Sequence, residues 1–324
     1  MSTTTEKPRR RRTLINLLRV LVTAAGITII VTQVDLRATW EGVQQANPGF
    51  VLIALLIFQS GIVIRAARWL ALLRALGSPI TLRRLTGLYY IGAFFNTFLP
   101  TGFGGDVVRA VETTADSSAE TAVVTVLIDR LSGLLVLFVF ALATLLMGAG
   151  GLPANLRAAA ITISVVGLAG GAFILLTDIP GRIADWFAGR IRFINLKGAA
   201  RAIHTIHRLD KRAVGLALLA SVAFNTVLIA AHYLIARALG LGISLTTITT
   251  ITLIGALLLL IPSIQGLGVR EPIYVLLLGM VAIEPEKALA FSLGTYVLNL
   301  STGLVGAVYY AVYSLVRLVQ SRAE

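Results

Sequence analysis

Phe94-Phe95-Asn96-Thr97-Phe98-Leu99-Pro100-Thr101-Gly102-Phe103-Gly104-Gly105-Asp106-Val107-Val108-Arg109 begins as an apolar helical run and stops at a proline. It then crosses a glycine-rich break and restarts with an Asp and an Arg three residues apart. The shape returns later: Leu260-Ile261-Pro262 leads through Gln265-Gly266-Leu267-Gly268 to Arg270-Glu271. Aligned on Pro100 and Pro262, Gly104 and Gly266 coincide, and charges follow in both. Proline cannot donate the helical N–H bond, so each incoming half-helix ends there. Gly104, Gly105, Gly266 and Gly268 are expected to take positive φ or to allow close backbone approach. In an apolar chain, two broken segments in corresponding halves point to a transport site.

The chain is apolar throughout. Its mean hydropathy is +0.88; 57% of residues are hydrophobic and 13% charged, against roughly 25% charged in soluble domains. Apolar runs over residues 14–34, 49–73, 122–147, 155–177, 213–239 and 287–315 are each long enough to cross ~30 Å of hydrocarbon. The expected fold is an all-α polytopic membrane protein with about six full spans and two re-entrant or broken-helix hairpins. These spans leave no room for a soluble catalytic domain of ordinary size. The absence of cysteine excludes disulfides, thiolate metal sites and cysteine nucleophiles. The net charge of +13 lies in blocks at helix ends, as the positive-inside rule requires, and not on a nucleic-acid-binding face.

In order, the organisation is a basic cytosolic tail (1–13, ending Arg9-Arg10-Arg11-Arg12), a first membrane half (14–177), a cytosolic basic loop (178–212) and a second membrane half (213–324). Residues 35–48 read as an outer loop with Trp40 as interface anchor. Residues 85–99 cover only about 22 Å as a helix, too little to cross, so 85–110 reads as a re-entrant hairpin. Residues 245–281 read likewise. Keeping all the basic blocks in the cytosol requires an even number of crossings over residues 85–122. One hairpin then enters from each side, which is an inverted-topology repeat in the cytoplasmic membrane with both termini in the cytosol. Within 178–212, Ile183, Trp186, Phe187, Ile191 and Ile194 fall at helical spacing, as in a basic helix lying on the inner leaflet. His204 and His207 sit three apart with no third ligand in sight and read as a solvated face, not a metal site.

Arg65 and Arg68 share a helix face. They read as side chains snorkelling to the cytosolic boundary, with a phosphate-binding vestibule as the other reading. Asp106 and Arg109 are spaced to pair, with Glu112 extending the row. Asp129-Arg130 and Arg270-Glu271 are neighbours pointing about 100° apart, and must find partners on other helices. One reading makes all of these salt bridges that fold the bundle. The other has Arg109, Arg130 and Arg270 facing a central cavity and holding a phosphate, with Asp106, Asp129 and Glu271 as counter-ions and Asn96 beside the break. No Gly-Lys-Ser/Thr follows the glycines, and no catalytic triad or metal-spaced cluster appears, so no cofactor or metal is expected.

At these residues the chain resembles the lysylphosphatidylglycerol synthase transmembrane-region family, the flippase-like domain of multiple peptide resistance factors. The resemblance rests on Asn96-Thr97-Phe98-Leu99-Pro100 with the glycine turn, Asp106 and Arg109. It continues at Asp129-Arg130-Leu131, where that family usually has Glu-Arg, and at Pro262 through Gly266-Leu267-Gly268-Val269-Arg270-Glu271. It implies a flippase moving a polar-headed lipid, phospholipid or polyprenyl-phosphate-linked, between leaflets. The aminoacyl-transferase domain of the full-length synthases has no counterpart in these residues. The alternatives are an intramembrane lipid transferase, with Asp106 or Glu271 as acid or base, and a non-catalytic membrane partner of a glycosyltransferase or lipid-modifying synthase.

Overall fold

The computed structural model describes residues 28, 30–32, 34–98, 104–147, 153–188, 196–258 and 267–320. Among them the chain is helical throughout. The helices are α1 (Leu36–Gln44), α2 (Pro48–Ala75), α3 (Leu82–Phe98), α4 (Gly104–Thr113), α5 (Ala119–Leu146) and α6 (Ala154–Leu176). They continue as α7 (Ile179–Ala188), α8 (Leu196–Arg208), α9 (Lys211–Ala238), α10 (Leu245–Leu258), α11 (Arg270–Gly279) and α12 (Pro285–Gln320). Five are long and apolar enough to cross a membrane: α2, α5, α6, α9 and Pro285–Leu315 of α12. They coincide, within a few residues, with five of the six expected spans, and the chain is a multi-pass membrane protein. The sixth, 14–34, falls mostly outside the described residues. So do Pro100, Pro262 and Gly266, and with them both tips of the breaks.

One expectation changes. Residues 35–48 hold a helix, because the Asp35 carboxylate caps α1 by accepting from the backbone N–H groups of Arg37 and Ala38 at 2.8 and 3.1 Å. Trp40 on that helix is exposed.

The element order repeats. Helix α9 starts and ends 163 residues after α2, and α10 starts 163 after α3; α11 and α12 start 166 after α4 and α5. The turns after α2 and α9 match in sequence, Arg74-Ala75-Leu76-Gly77 against Arg237-Ala238-Leu239-Gly240, and then Ile80-Thr81-Leu82 against Ile243-Ser244-Leu245. They also match bond for bond. Gly77 and Gly240 have positive φ, +82° and +67°. The amide of Ser78 donates to the carbonyl of Leu73 at 3.0 Å, and that of Leu241 to Ala236 at 2.9 Å. Each turn is a Schellman cap, which requires a left-handed residue that glycine adopts without strain. Thr81 and Ser244 then cap the next helix, accepting from the N–H of Arg84 and Thr247.

The packing repeats as well. Exchanging α2–α5 for α9–α12 carries each substantial packing among these eight helices onto another. Helix α3 lies on α12 as α10 lies on α5, α4 on α5 as α11 on α12, and α2 packs on its own counterpart α9. The two halves run in opposite senses. The start of α2 meets the end of α9, where Asn47 N–H donates to Ala238 O at 2.8 Å. At the other end Leu72 of α2 clusters with Ala217 and Val214 at the start of α9, with Val124 of α5, and with Ile206 and Leu209 after the loop.

Helices α3 and α4 form a tight hairpin. Both ends return to the Leu72–Val124 end of the bundle, tied by Arg84 to Asp116 at 2.6 Å and by Arg84 to Glu112 O at 3.3 Å. A Cβ on Gly105 would overlap the carbonyl oxygen of Gly92, so backbone packs on backbone there. The two glycines let the returning strand of the hairpin lie against the incoming one. The second pair, α10 and α11, meets more loosely, where the Tyr274 hydroxyl fills the space beside Gly255.

In the 178–212 region α7 and α8 pack together. Ile183, Trp186 and Phe187 are exposed; Ile191 and Ile194 lie outside the described residues. His204 joins the two helices, with Nδ1 at 2.7 Å from Asp178 and Nε2 at 3.0 Å from Asp185. With a carboxylate on each ring nitrogen the imidazolium is favoured, and the hydrogen bonds to Asp185 and Asp178 raise its pKa. Such a raised group holds α7 on α8 fully below the unfolded value of about 6.5 and releases it as pH climbs through the folded value. Hydrogen exchange of α7 should therefore quicken on raising the pH through that range. In His204→Gln the rate, after correction for intrinsic exchange, should stay flat; a pH-independent rate in the parent would refute the clasp.

Candidate functional site

Asp129 is fully buried in the middle of α5. An ionised carboxylate among apolar helices costs several kcal/mol unless cations and donors surround it. Three groups from three helices do so. Arg68 Nε of α2 reaches Oδ1 at 2.6 Å, Arg109 NH2 of α4 reaches Oδ2 at 3.1 Å, and the Tyr89 hydroxyl of α3 donates to Oδ2. Asp106 holds the next position. It accepts from Arg109 NH1 at 3.2 Å and from Arg130 Nε. Arg109 thus bridges two carboxylates. Its guanidinium lies over the rings of Tyr89 and Trp69, 3.6 and 4.3 Å from their centroids. Both faces of such a plane are suited to ring contact.

The surroundings lock this network in place. Trp69 Nε1 donates to Thr125 at 2.9 Å, Arg68 NH1 donates to Ser221 of α9 at 3.0 Å, and Asn225 Nδ2 donates to Gly133 O at 3.0 Å. Gly92 leaves room for Arg109, since a Cβ there would meet Arg109 Cδ at 2.8 Å. Helices α2, α3, α4, α5 and α9 all contribute, so one cluster pins the hairpin to both halves.

Arg65, one turn before Arg68, is placed differently. Its guanidinium sits over Tyr89 at 4.9 Å and over Phe224 of α9 at 5.1 Å. Its Nε is buried with no hydrogen-bond partner. It is ten residues from the end of α2, about 15 Å along the axis, so neither Arg65 nor Arg68 snorkels as the spacing suggested. Arg68 is 3% exposed and paired with Asp129. Depth within an uninterrupted apolar helix was the signal for this.

The remaining candidates divide. Asp129 and Arg130 find partners on other helices, as expected. Arg130 is two-thirds covered by its pairing with Asp106. The side-chain oxygen of Asn96 accepts the N–H of Gly105 at 2.7 Å and caps the restart of the hairpin. Gly104 and Gly105 open α4, and the close approach at Gly105 is to the backbone of α3. Glu112 accepts from the Tyr313 hydroxyl of α12 at 2.8 Å.

In the second half Arg270 and Glu271 depart from the expectation that neighbours must look elsewhere. Arg270 NH2 lies 3.3 Å from Glu271 Oε1, and Glu271 Oε2 accepts the N–H of Gly268 at 2.7 Å. Gly268 has φ +76°, which folds its amide back onto that carboxylate. Arg270 also lies near the rings of Tyr274 and Tyr296. Its contacts share no residue with those of Arg109. Among the described residues Arg109 and Arg270 are buried, each against a carboxylate and aromatic rings.

Among the described residues no group of three or more His, Asp or Glu side chains is arranged to hold a metal. Three arginines pair with two aspartates there, and a fourth, Arg65, lies beside them between two rings. No curated protein matches the chain. Residues 16–306 match the family model described as the lysylphosphatidylglycerol synthase TM region, a span that contains α1–α11, the whole charged cluster and both breaks. By that match over most of its length, the chain belongs to the lysylphosphatidylglycerol synthase TM region family.

Proposed function

We propose that this protein is a lipid flippase, moving a lipid with an anionic, phosphate-bearing headgroup between leaflets of the cytoplasmic membrane. The observation that carries the reading is the buried cluster of Arg65, Arg68, Arg109 and Arg130 about Asp106 and Asp129. Cations outnumber carboxylates there, in helices whose outer faces are apolar. An excess positive charge at that depth is costly and is relieved by an anion entering from the lipid phase. Membership of a lipid-handling family supports the same substrate class.

The two halves support an alternating mechanism. Placed in a bilayer, the opposed halves make an inverted repeat, with α3–α4 re-entrant from one side and α10–α11 from the other. By the positive-inside rule, the basic residues near the ends of α2 and α8 support a cytosolic Leu72–Val124 end. Because α3 packs on α12 and α10 on α5, each hairpin rides on the long helix of the other half. Rocking one half then moves both hairpins together. The transferase reading finds no favouring geometry, since Asp106 and Glu271 are both consumed by ion pairs.

Reconstitution in liposomes with leaflet-specific labelled phosphatidylglycerol tests the transport. The label should equilibrate between leaflets with protein and not without it. Altered lipid chemistry would indicate an enzyme, and neither movement nor chemistry a partner role. Single cysteines in this cysteine-free chain test the orientation. They should label from outside near Asn155 and Glu284, and from inside near Lys197 and Arg322. Outside labelling near Lys197 would overturn the inverted repeat.

A further inference from the structure

The cluster treats its arginines unequally. Arg68, Arg109 and Arg130 are each tied to a carboxylate. Among the described residues no hydrogen bond or ion pair reaches the Arg65 guanidinium. What holds it is a pair of aromatic faces, Tyr89 from the hairpin and Phe224 from α9. Rings that cover the faces of a guanidinium leave its in-plane N–H donors open, and those donors match the oxygens of a phosphate. The cradle is built around that pose. The Phe224 ring lies beside Gly61, one turn earlier on α2, 3.4 Å from where a Cβ would be. Tyr89 is fixed at its hydroxyl by Asp129.

The unpaired cation is reachable where its neighbours are not, for Arg65 is partly exposed while Arg68, Arg109 and Asp129 are buried. It lies on the α2–α9 seam, where the two halves pack on each other. The repeat does not duplicate it, since the position 163 residues on is Leu228. Every other charge facing it from the packed elements is spoken for: Arg68 on its own helix, Asp106 and Arg109 on α4, Asp129 and Arg130 on α5. Helix α9 presents the Phe224 ring to it.

We infer that Arg65 is the residue that takes the phosphate group of the transported lipid, one site per chain, while Arg68, Arg109 and Asp129 hold its aromatic cradle in shape. The lipid as the source rests on the transporter reading; the anion site rests on the geometry alone. Binding is read from Trp69, whose ring meets Tyr89 edge-on at 5.7 Å. Exchanging Trp40 and Trp186 for Phe leaves it the sole tryptophan. In detergent, that protein is titrated with dihexanoyl-phosphatidylglycerol, inorganic phosphate and phosphate-free dihexanoylglycerol.

The first two probes should give saturable fluorescence changes and the third none. Arg65→Gln should raise the half-saturating concentration of both phosphate probes at least tenfold. Arg65→Lys, which keeps the charge but loses the planar fork, should fall between. Because Arg65 makes no ion pair, Arg65→Gln should melt no lower than the parent. Tighter binding of the lipid than of inorganic phosphate assigns the site to a headgroup; equal binding assigns it to the free anion and overturns the lipid half of the proposal. Unchanged saturation in Arg65→Gln, equal response to dihexanoylglycerol, or loss of fold in both Arg65 variants would overturn the site. Binding that depends on Arg65 in a protein that moves no lipid would leave the site standing and remove the flippase reading.

Discussion

Asp129→Asn should leave little folded protein. The side chain keeps its shape and loses its charge, so Arg68 is left with no carboxylate in the apolar interior and Arg109 keeps only Asp106. Removing one partner of a buried pair costs ~3–5 kcal/mol, because the stranded charge has neither water nor counter-ion. Here one carboxylate serves two arginines and a tyrosine, which places the loss at the upper end of that range. A membrane protein of ordinary marginal stability does not survive it. Detergent-solubilised Asp129→Asn should elute as aggregate where the parent elutes as one peak, and should melt far lower. The double variant Asp129→Asn with Arg68→Met should recover part of the folded yield, since Met fills similar length without a charge. A variant Asp129→Asn that folds and melts like the parent would mean that the cluster contributes nothing to the fold. Set beside Arg65→Gln, which should leave melting unchanged, the pair separates the arginines that hold the bundle from the one that holds a ligand.

Gly105→Leu should open the first hairpin. A Cβ on that glycine already overlaps the Gly92 carbonyl oxygen and comes within 2.7 Å of the Asn96 side chain. The added atoms must push α4 off α3. That breaks the Gly105–Asn96 hydrogen bond and pulls Arg109 away from Asp129 in the same movement. Overpacking alone costs ~1–3 kcal/mol, and the lost ion pairs add to it. Gly105→Ala should show the smaller part of the effect, and Gly170→Ala, where nothing lies within 4 Å, should show none. Cysteine accessibility at Val107 and Val111 on the exposed face of α4, compared before and after the exchange, reads the hairpin directly. Equal melting for Gly105→Leu and Gly170→Ala would refute the backbone-on-backbone contact.

Much of the architecture was legible before any coordinates. Hydropathy and length located α2, α5, α6, α9 and α12, because in lipid every span must satisfy its own backbone bonds and so reads as an unbroken apolar run. The short apolar runs read at 85–99 and 245–261 fall on α3 and α10. Asp106 with Arg109 paired as i, i+3 spacing demands, a local matter of helix geometry. The repeat was visible at the breaks but is clearer in the turns after α2 and α9, where Gly77 and Gly240 take a backbone conformation that glycine alone adopts easily.

Long-range choice lay beyond the spacing of residues. Nothing local tells Arg68 that its partner is Asp129, 61 residues on, in preference to water at the membrane edge. The packing of α2 on α5 and α9 decides that, by closing water out and leaving Asp129 as the carboxylate and Ser221 as the hydroxyl that compensate it. The same packing consumes Asn96 in a cap and turns Arg270 back on its neighbour Glu271. It also leaves Arg65 between two rings. Helix type and span follow from periodicity, which the chain carries in every turn. Whether a buried charge is paired or left open depends on which faces of which helices meet, and only the folded bundle sets that.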